Sequence, residues 1–364
     1  MTNQSALLKS ITAIVPKLIG TTVFLGAFWS NPVLANTLNF EQIYIFGDSN
    51  SDQGNVLNSS GGFPPEPYYY QGRFTNGLNW VDYLSSDLGL DPEIYTELNS
   101  GEDGINFTFG GATTGDENLS NLMNGGNLPG LQQQVDYFAD VLNGGTANPD
   151  ALYLIWVGPN DYVAALDPFF QQDIDPTTIP TTAVNNFSNA ISKLNDLGAS
   201  NIVLFNEADV AQTPFGRQAL TPEEAGFVGS LIQQQNILIE EEVNQLNQAN
   251  PDLNLMTFDT EQLFQDILNN PSQFGLTNVT NNCSGINFPI LPSPQDYSPC
   301  SNPGDYLFWD NQHQTTAAHR IIADEVLFAL ESELTNSSKV PEPSILAALG
   351  FFSVGLMMKK KGKL

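Results

Sequence analysis

Ile43-Tyr44-Ile45-Phe46-Gly47-Asp48-Ser49-Asn50-Ser51-Asp52 is a short apolar run closed by a glycine turn that carries a serine. Such a run reads as a buried strand followed by a tight turn. Side chains at that turn lie beyond the carboxyl end of the strand, where ligands bind in open α/β sheets. A serine hydroxyl there becomes a nucleophile only if a base takes its proton. The chain offers two histidines, His313 and His319. His313 closes Asp310-Asn311-Gln312-His313, which puts a carboxylate three residues ahead of the imidazole and so supplies an orienting group. His319 has Thr316 in that place and, if both are helical, points about 240° away from His313. It is assigned to helix packing or solvent.

Outward from this stretch, strands and helices alternate. Ile43 to Phe46, Ile105 to Phe109, Ala151 to Val157, Ile202 to Phe205 and Leu253 to Phe258 read as five strands. Helical spacing covers Asn79 to Leu88, Leu131 to Leu142 and Ala183 to Leu197, the last capped by Gly198. Thr221 with Glu224 forms a capping box that opens a long helix, and another runs from Thr315 to about Leu334. This order predicts an α/β fold with a mostly parallel five-stranded sheet, helices on both faces and right-handed crossovers. No internal repeat or long linker interrupts residues 36–339, which are expected to form one domain.

The ends read differently. Residues 1–35 hold Lys9 and Lys17 but no acid, then an apolar run from Leu18 to Trp29 and Val33-Leu34-Ala35, as in a secretory signal peptide cut after Ala35. Residues 340–364 hold Val340-Pro341-Glu342-Pro343, an apolar stretch from Ser344 to Met358, and Lys359-Lys360-Lys361 with Lys363. This tail resembles PEP-CTERM sorting signals, which implies export and surface sorting with a membrane or sorting machinery as partner. A plain C-terminal anchor is the other reading. Between the ends, five Lys and Arg face 39 Asp and Glu, a formal charge of −34. That field repels phosphate backbones, so nucleic acid is not an expected partner. No Asp-x-Asp-x-Asp-Gly loop closed by Glu appears, and neither a metal nor a cofactor is expected. Cys283 and Cys300, the only cysteines, are expected to be bridged in an exported chain, steadying the segment ahead of Asp310 and His313.

Acyl transfer also needs donors aimed at the oxyanion. Gly110-Gly111-Ala112-Thr113-Thr114 and Gly158-Pro159-Asn160-Asp161 each follow a predicted strand, and a glycine N–H and an asparagine amide are suitable donors. In order, Gly47-Asp48-Ser49, Gly111, Gly158-Pro159-Asn160-Asp161 and Asp310-Asn311-Gln312-His313 resemble the four blocks of the SGNH or GDSL hydrolases, a family of serine esterases and lipases. The resemblance spans nearly all of residues 36–339. It implies a three-layer α/β/α, flavodoxin-like fold and hydrolysis of an ester substrate, a lipid or an acylated carbohydrate, through an acyl-enzyme. Ser49 would be the nucleophile, His313 the base and Asp310 its orienter. The N–H groups of Ser49 and Gly111 and the Asn160 amide would form the oxyanion hole, with Gly110 the alternative to Gly111. Asn50 stands where the family motif has leucine, a position with no required chemistry.

Each segment alone also has an ordinary turn or strand-end role, and it is their order that favours chemistry. Asp48, Asp52 and Asp161 are read as acceptors that fix turns. Tyr69 and Phe74, with Phe169 and Phe170, fall in irregular stretches on the side of the sheet where the site lies and are candidates to contact substrate. The competing expectation is a surface-anchored binding or matrix protein on an inactive scaffold of the same family.

Overall fold

The computed structural model describes residues 38–124, 126–166, 170 and 173–337. The segments read as signal peptide and sorting tail, 1–35 and 340–364, lie outside the described residues, as does Phe169. Six strands form the main sheet: β1 (Ile43–Gly47), β2 (Glu93–Ile94), β3 (Gly104–Asn106), β4 (Leu152–Trp156), β5 (Asn201–Phe205) and β6 (Asn254–Phe258). Their order is β2-β3-β1-β4-β5-β6, and every pairing is parallel. Without the two-residue edge strand β2, this is the flavodoxin-like order, whose direction reverses on either side of β1. Ser49 follows β1 directly, at the point where such sheets leave a crevice.

Alternation along each strand divides the core into two layers. Ile43, Ile45, Leu152, Leu154 and Phe205 face one side, under the helices Trp80–Leu88, Thr260–Asn269 and Thr316–Ser337. Tyr44, Phe46, Tyr153, Ile155 and Leu204 face the other, under Leu131–Leu142, Ile179–Asp196 and Pro222–Ala249. β1 and β4 are buried along their whole length, as central parallel strands covered on both faces must be. Helix starts follow local chemistry. The Asn79 side chain accepts from Val81 and Asp82 N–H groups while Asp82 reaches back, and Thr221 and Glu224 form the expected capping box.

Three features depart from the expected five strands, the first being the two-residue edge strand β2, which makes the sheet six-stranded by pairing with β3. The strand ahead of the second block, β3, stops at Asn106 rather than Phe109. Asn106 Oδ1 accepts from the Thr108 N–H and hydroxyl at 2.9 and 2.6 Å, which turns the chain. Only the β1 side of the ladder continues, through Phe107 and Phe109 N–H groups. A second, two-stranded parallel sheet, β7 (Asn278–Asn282) with β8 (Tyr306–Phe308), was not expected. It carries the chain to Asp310. Cys283, just after β7, is bonded to Cys300, ahead of β8, with Cα atoms 5.0 Å apart. The Cys283 N–H donates to Phe308 O and the Ser284 N–H to Trp309 O, at 3.0 and 2.8 Å. Closing a loop of this size constrains the unfolded chain by about 3 kcal/mol in the chain-entropy account.

The end of β1 is held by one side chain. Gln134, fully buried, accepts from the Gly47 N–H at 2.8 Å and donates to Gly47 O at 2.9 Å. Gln134→Leu strands the Gly47 N–H in the core, while Gly47 O keeps the Phe109 N–H, and is expected to lower stability by about 1–3 kcal/mol. Denaturant melts of the two proteins measure this, and an unchanged midpoint would refute the clamp.

Candidate active site

The chain Asp310–His313–Ser49 begins with a local turn. Asp310 Oδ1 accepts from the N–H groups of Gln312 and His313, both at 2.7 Å, so the carboxylate folds its own loop. Its Oδ2 meets His313 Nδ1 at 2.7 Å and the Tyr69 hydroxyl at 2.7 Å. Four hydrogen bonds thus fill a carboxyl group with no solvent exposure. The spacing of three residues between acid and histidine follows from this: the same carboxylate reaches both the backbone and the ring. His313 Nε2 lies 2.9 Å from Ser49 Oγ. The imidazole is flanked by Phe74 and Phe288, with ring centres at 5.2 and 5.1 Å. A proton can pass from Ser49 to His313 while Asp310 fixes the Nδ1–H tautomer.

The expected oxyanion donors come together beside Ser49. Gly110 donates its N–H to Asp52 Oδ2 at 2.9 Å, whereas the N–H groups of Ser49 and Gly111 have no partner among the described residues. Gly111, not Gly110, lines the slot with Ser49 and Asn160. Its φ of +85° and a virtual Cβ 2.6 Å from Ser120 Oγ leave room only for glycine. Asn160 Nδ2 donates to Ala112 O at 2.9 Å and lies 3.4 Å from Asp48 Oδ2. One of its hydrogens is anchored and the other is loosely held.

The three acids expected to fix turns do more. Asp52 accepts from the N–H groups of Gly54, Asn55 and Val56 as well as Gly110, tying the first block to the second. Asp161 accepts from the Thr114 N–H and hydroxyl at 3.0 and 2.8 Å, tying the third block to the second. Asp48 accepts from the Asn50 N–H at 2.9 Å. Burial pushes Asp48 up to about 7 and both Asp52 and Asp161 to about 6. Glu207, after β5, rises well above the usual carboxylate range, through burial and then the neighbouring Asp48 and Asp161. Gly158 makes room for it: a Cβ there would stand 2.1 Å from Glu207 Oε2. His319 is buried in the last helix, and burial holds its imidazole down at about 3.

Two compartments meet at Ser49, Asn160, Gln312 and His313. One is an apolar slot walled by Phe74, Leu119, Val163, Phe170 and Phe288. The other is a wider cleft carrying Glu207, Asp209, Glu261 and several amides. Phe74 and Phe170 therefore lie where the sequence placed them. Tyr69 lines neither compartment; its ring is buried and its hydroxyl serves Asp310. Sequence reasoning missed Phe288 and Gln312. Phe288 reaches the site through Asn311, whose Oδ1 accepts its N–H at 2.7 Å, a contact without local signature. Gln312 lay inside the last block and was passed over because its side chain has no part in proton transfer.

A family model described as GDSL-like lipase/acylhydrolase matches residues 43–326. Among similar proteins, a GDSL esterase/lipase of Arabidopsis thaliana is 27% identical over 323 residues, covering 78% of this chain and 88% of that one. A phosphatidylcholine-sterol acyltransferase of Aeromonas hydrophila is 26% identical over 332 residues, covering 81% and 91%. A thermolabile hemolysin of Vibrio parahaemolyticus is 26% identical over 313 residues, covering 82% and 66%.

The buried acids set a pH dependence of stability. Carboxyls whose range is raised on folding hold protons that the unfolded chain has released, so stability is fullest below about pH 4 for these groups. It is lost as pH climbs through about 6 and 7, where Asp161, Asp52 and Asp48 ionise, and beyond, where Glu207 does. Tm is expected to fall between pH 5 and pH 8, and Glu207→Gln to raise Tm at pH 8 by about 3 °C or more. Calorimetry of both proteins at the two pH values decides; a Tm that rises with pH would contradict it.

Proposed function

Because the chain belongs to the GDSL-like lipase/acylhydrolase family and is a carboxylic-ester hydrolase, we propose that it works through an acyl-enzyme on Ser49. The observation that carries this is the unbroken line from Ser49 Oγ through both nitrogens of His313 to Asp310, with contacts of 2.9 and 2.7 Å. Ser49 Oγ attacks the ester carbonyl as His313 Nε2 takes its proton, and the imidazolium is steadied by Asp310. The N–H groups of Ser49 and Gly111 and the loosely held hydrogen of Asn160 receive the oxyanion. Collapse expels the alcohol, which takes the proton from His313. Water then attacks the acyl-enzyme by the same route and restores Ser49. Tyr69 acts through Asp310, as a positioning residue.

The reading extends to export, with residues 1–35 as the leader and 340–364 as a sorting tail. A bonded Cys283–Cys300 pair supports it, since such bonds persist in oxidising compartments. Mass spectrometry of the natural protein is expected to find a mature N-terminus at Asn36; retention of Met1 or Thr2 would refute the leader.

Ser49→Ala is expected to abolish hydrolysis of p-nitrophenyl butyrate with circular dichroism unchanged, and a fluorophosphonate to label Ser49 in the parent. Labelling elsewhere, or retained turnover, would overturn the mechanism. Asn160→Ala is expected to lower kcat by roughly 10²–10³ with little change in KM. Tyr69→Phe removes a donor to a charged group, worth about 1.5–3 kcal/mol, and is expected to lower kcat by roughly tenfold or more. An effect of Tyr69→Phe on KM alone would place the tyrosine in substrate binding instead.

A further inference from the structure

We infer that Asn311 sets the acyl-length limit of this enzyme, as a positioning residue that holds Phe288 in the wall of the apolar slot. The inference rests on the acyl-enzyme reading for placing the acyl group in that slot, and on three observations of its own.

First, the slot is small and Phe288 closes it. Its free volume is about 20 Å³, where a single water needs roughly 10–15 Å³. An acyl group on Ser49 finds space there for a methyl and little more. The Phe288 ring stands in the wall, with its centre 5.1 Å from that of His313 and 5.9 Å from that of Phe74. It also packs on Phe63 at 5.9 Å, and Phe63 and Leu128 continue the same apolar surface. A longer chain therefore has a hydrocarbon surface to follow once Phe288 moves aside.

Second, the loop that carries Phe288 depends on Asn311. Residues 283–302 contain neither helix nor strand, and Ile290 is 69% exposed. The Cys283–Cys300 bond ties the base of the loop. Near Phe288 the tie is Asn311: its Oδ1 accepts the Phe288 N–H at 2.7 Å, its Nδ2 faces Phe288 O at 3.5 Å, and its N–H donates to Ile286 O at 3.2 Å. One residue thus pairs with the loop much as a neighbouring strand would.

Third, Asn311 belongs to the loop that carries the base. It stands between Asp310 and Gln312, and its carbonyl accepts the Phe215 N–H at 2.7 Å. Phe215 packs with Leu119, Val163 and Phe170, which wall the slot. The backbone bond to Phe215 survives any substitution, whereas the hold on the Phe288 N–H requires the asparagine side chain. Asn311 is buried and lines neither compartment, so it reaches the acyl group only through Phe288.

The test compares p-nitrophenyl acetate and octanoate on the full chain, with Asn311→Ala, Phe288→Ala and the double variant. The parent is expected to favour acetate in kcat/KM by at least tenfold. Each single variant is expected to raise the octanoate-to-acetate ratio at least tenfold, and the double variant no further than Phe288→Ala alone, as for residues that act as a unit. A catalytic loop that was merely loosened would lower both esters alike. A parent that prefers octanoate, an unmoved ratio in Asn311→Ala, or additive effects in the double variant would overturn the inference. Asn311→Ser, too short to reach the Phe288 N–H, replaces the alanine variant if that one does not fold. A second measurement needs no turnover: hydrogen exchange at the Phe288 N–H is expected to quicken at least tenfold in the Asn311 variant, and an unchanged rate would overturn the hold. If the parent hydrolyses neither ester, the acyl-enzyme reading falls alone. NMR titration of Ser49→Ala with octanoate then decides: tighter binding on adding Asn311→Ala supports the inference, and equal affinities overturn it.

Discussion

Everything in this site depends on the saturation of one carboxylate. Asp310 is sealed from solvent, and its four hydrogen bonds divide among three tasks. Two fold the loop, one orients the imidazole, and one recruits a tyrosine 241 residues away in sequence. A buried carboxylate with fewer partners would be costly. Because the partners are backbone and side chain together, the loop cannot relax without disturbing the ring, nor the ring without disturbing the loop.

Around this point the family's blocks are joined by a second set of acids. Asp52 binds the turn after β1 to Gly110 and thereby leaves Gly111 as the one glycine with an N–H to offer. Asp161 joins the Asn160 turn to Thr114. Asp48 and Glu207 lie beneath the same turns, and burial outweighs the favourable charge of His313 beside Asp48, so their burial costs stability as pH rises. The site's geometry is thus maintained at the expense of a fold that is firmer in mild acid than in base.

Much of this was legible in the sequence where the cause is local. The Asp310-x-x-His313 spacing, the Thr221–Glu224 capping box and the apolar runs of β1 and β4 each encode their structure within a few residues. What escaped was set through space. β7, an Asn-rich run, is a strand because β8 pairs with it, and β2 is only two residues long. Tyr69 looked like a substrate contact because aromatic loop residues near a site commonly are; its hydroxyl finds Asp310 only in the folded chain. Phe288 gave no sign, since its partner Asn311 binds it across 23 residues.

The position of β1 has a consequence for how the molecule comes into being. It is the earliest strand among the described residues and lies inside the sheet, paired with β3 and β4. Its serine, however, is completed by a histidine 264 residues later, just ahead of the last helix among the described residues. Contacts of such long separation form late, after the entropy of ordering the intervening chain has been met. A chain still emerging from the ribosome therefore carries its nucleophile without a base, and hydrolytic competence arrives only with the last segment to dock. Turnover in this protein is a readout of finished folding.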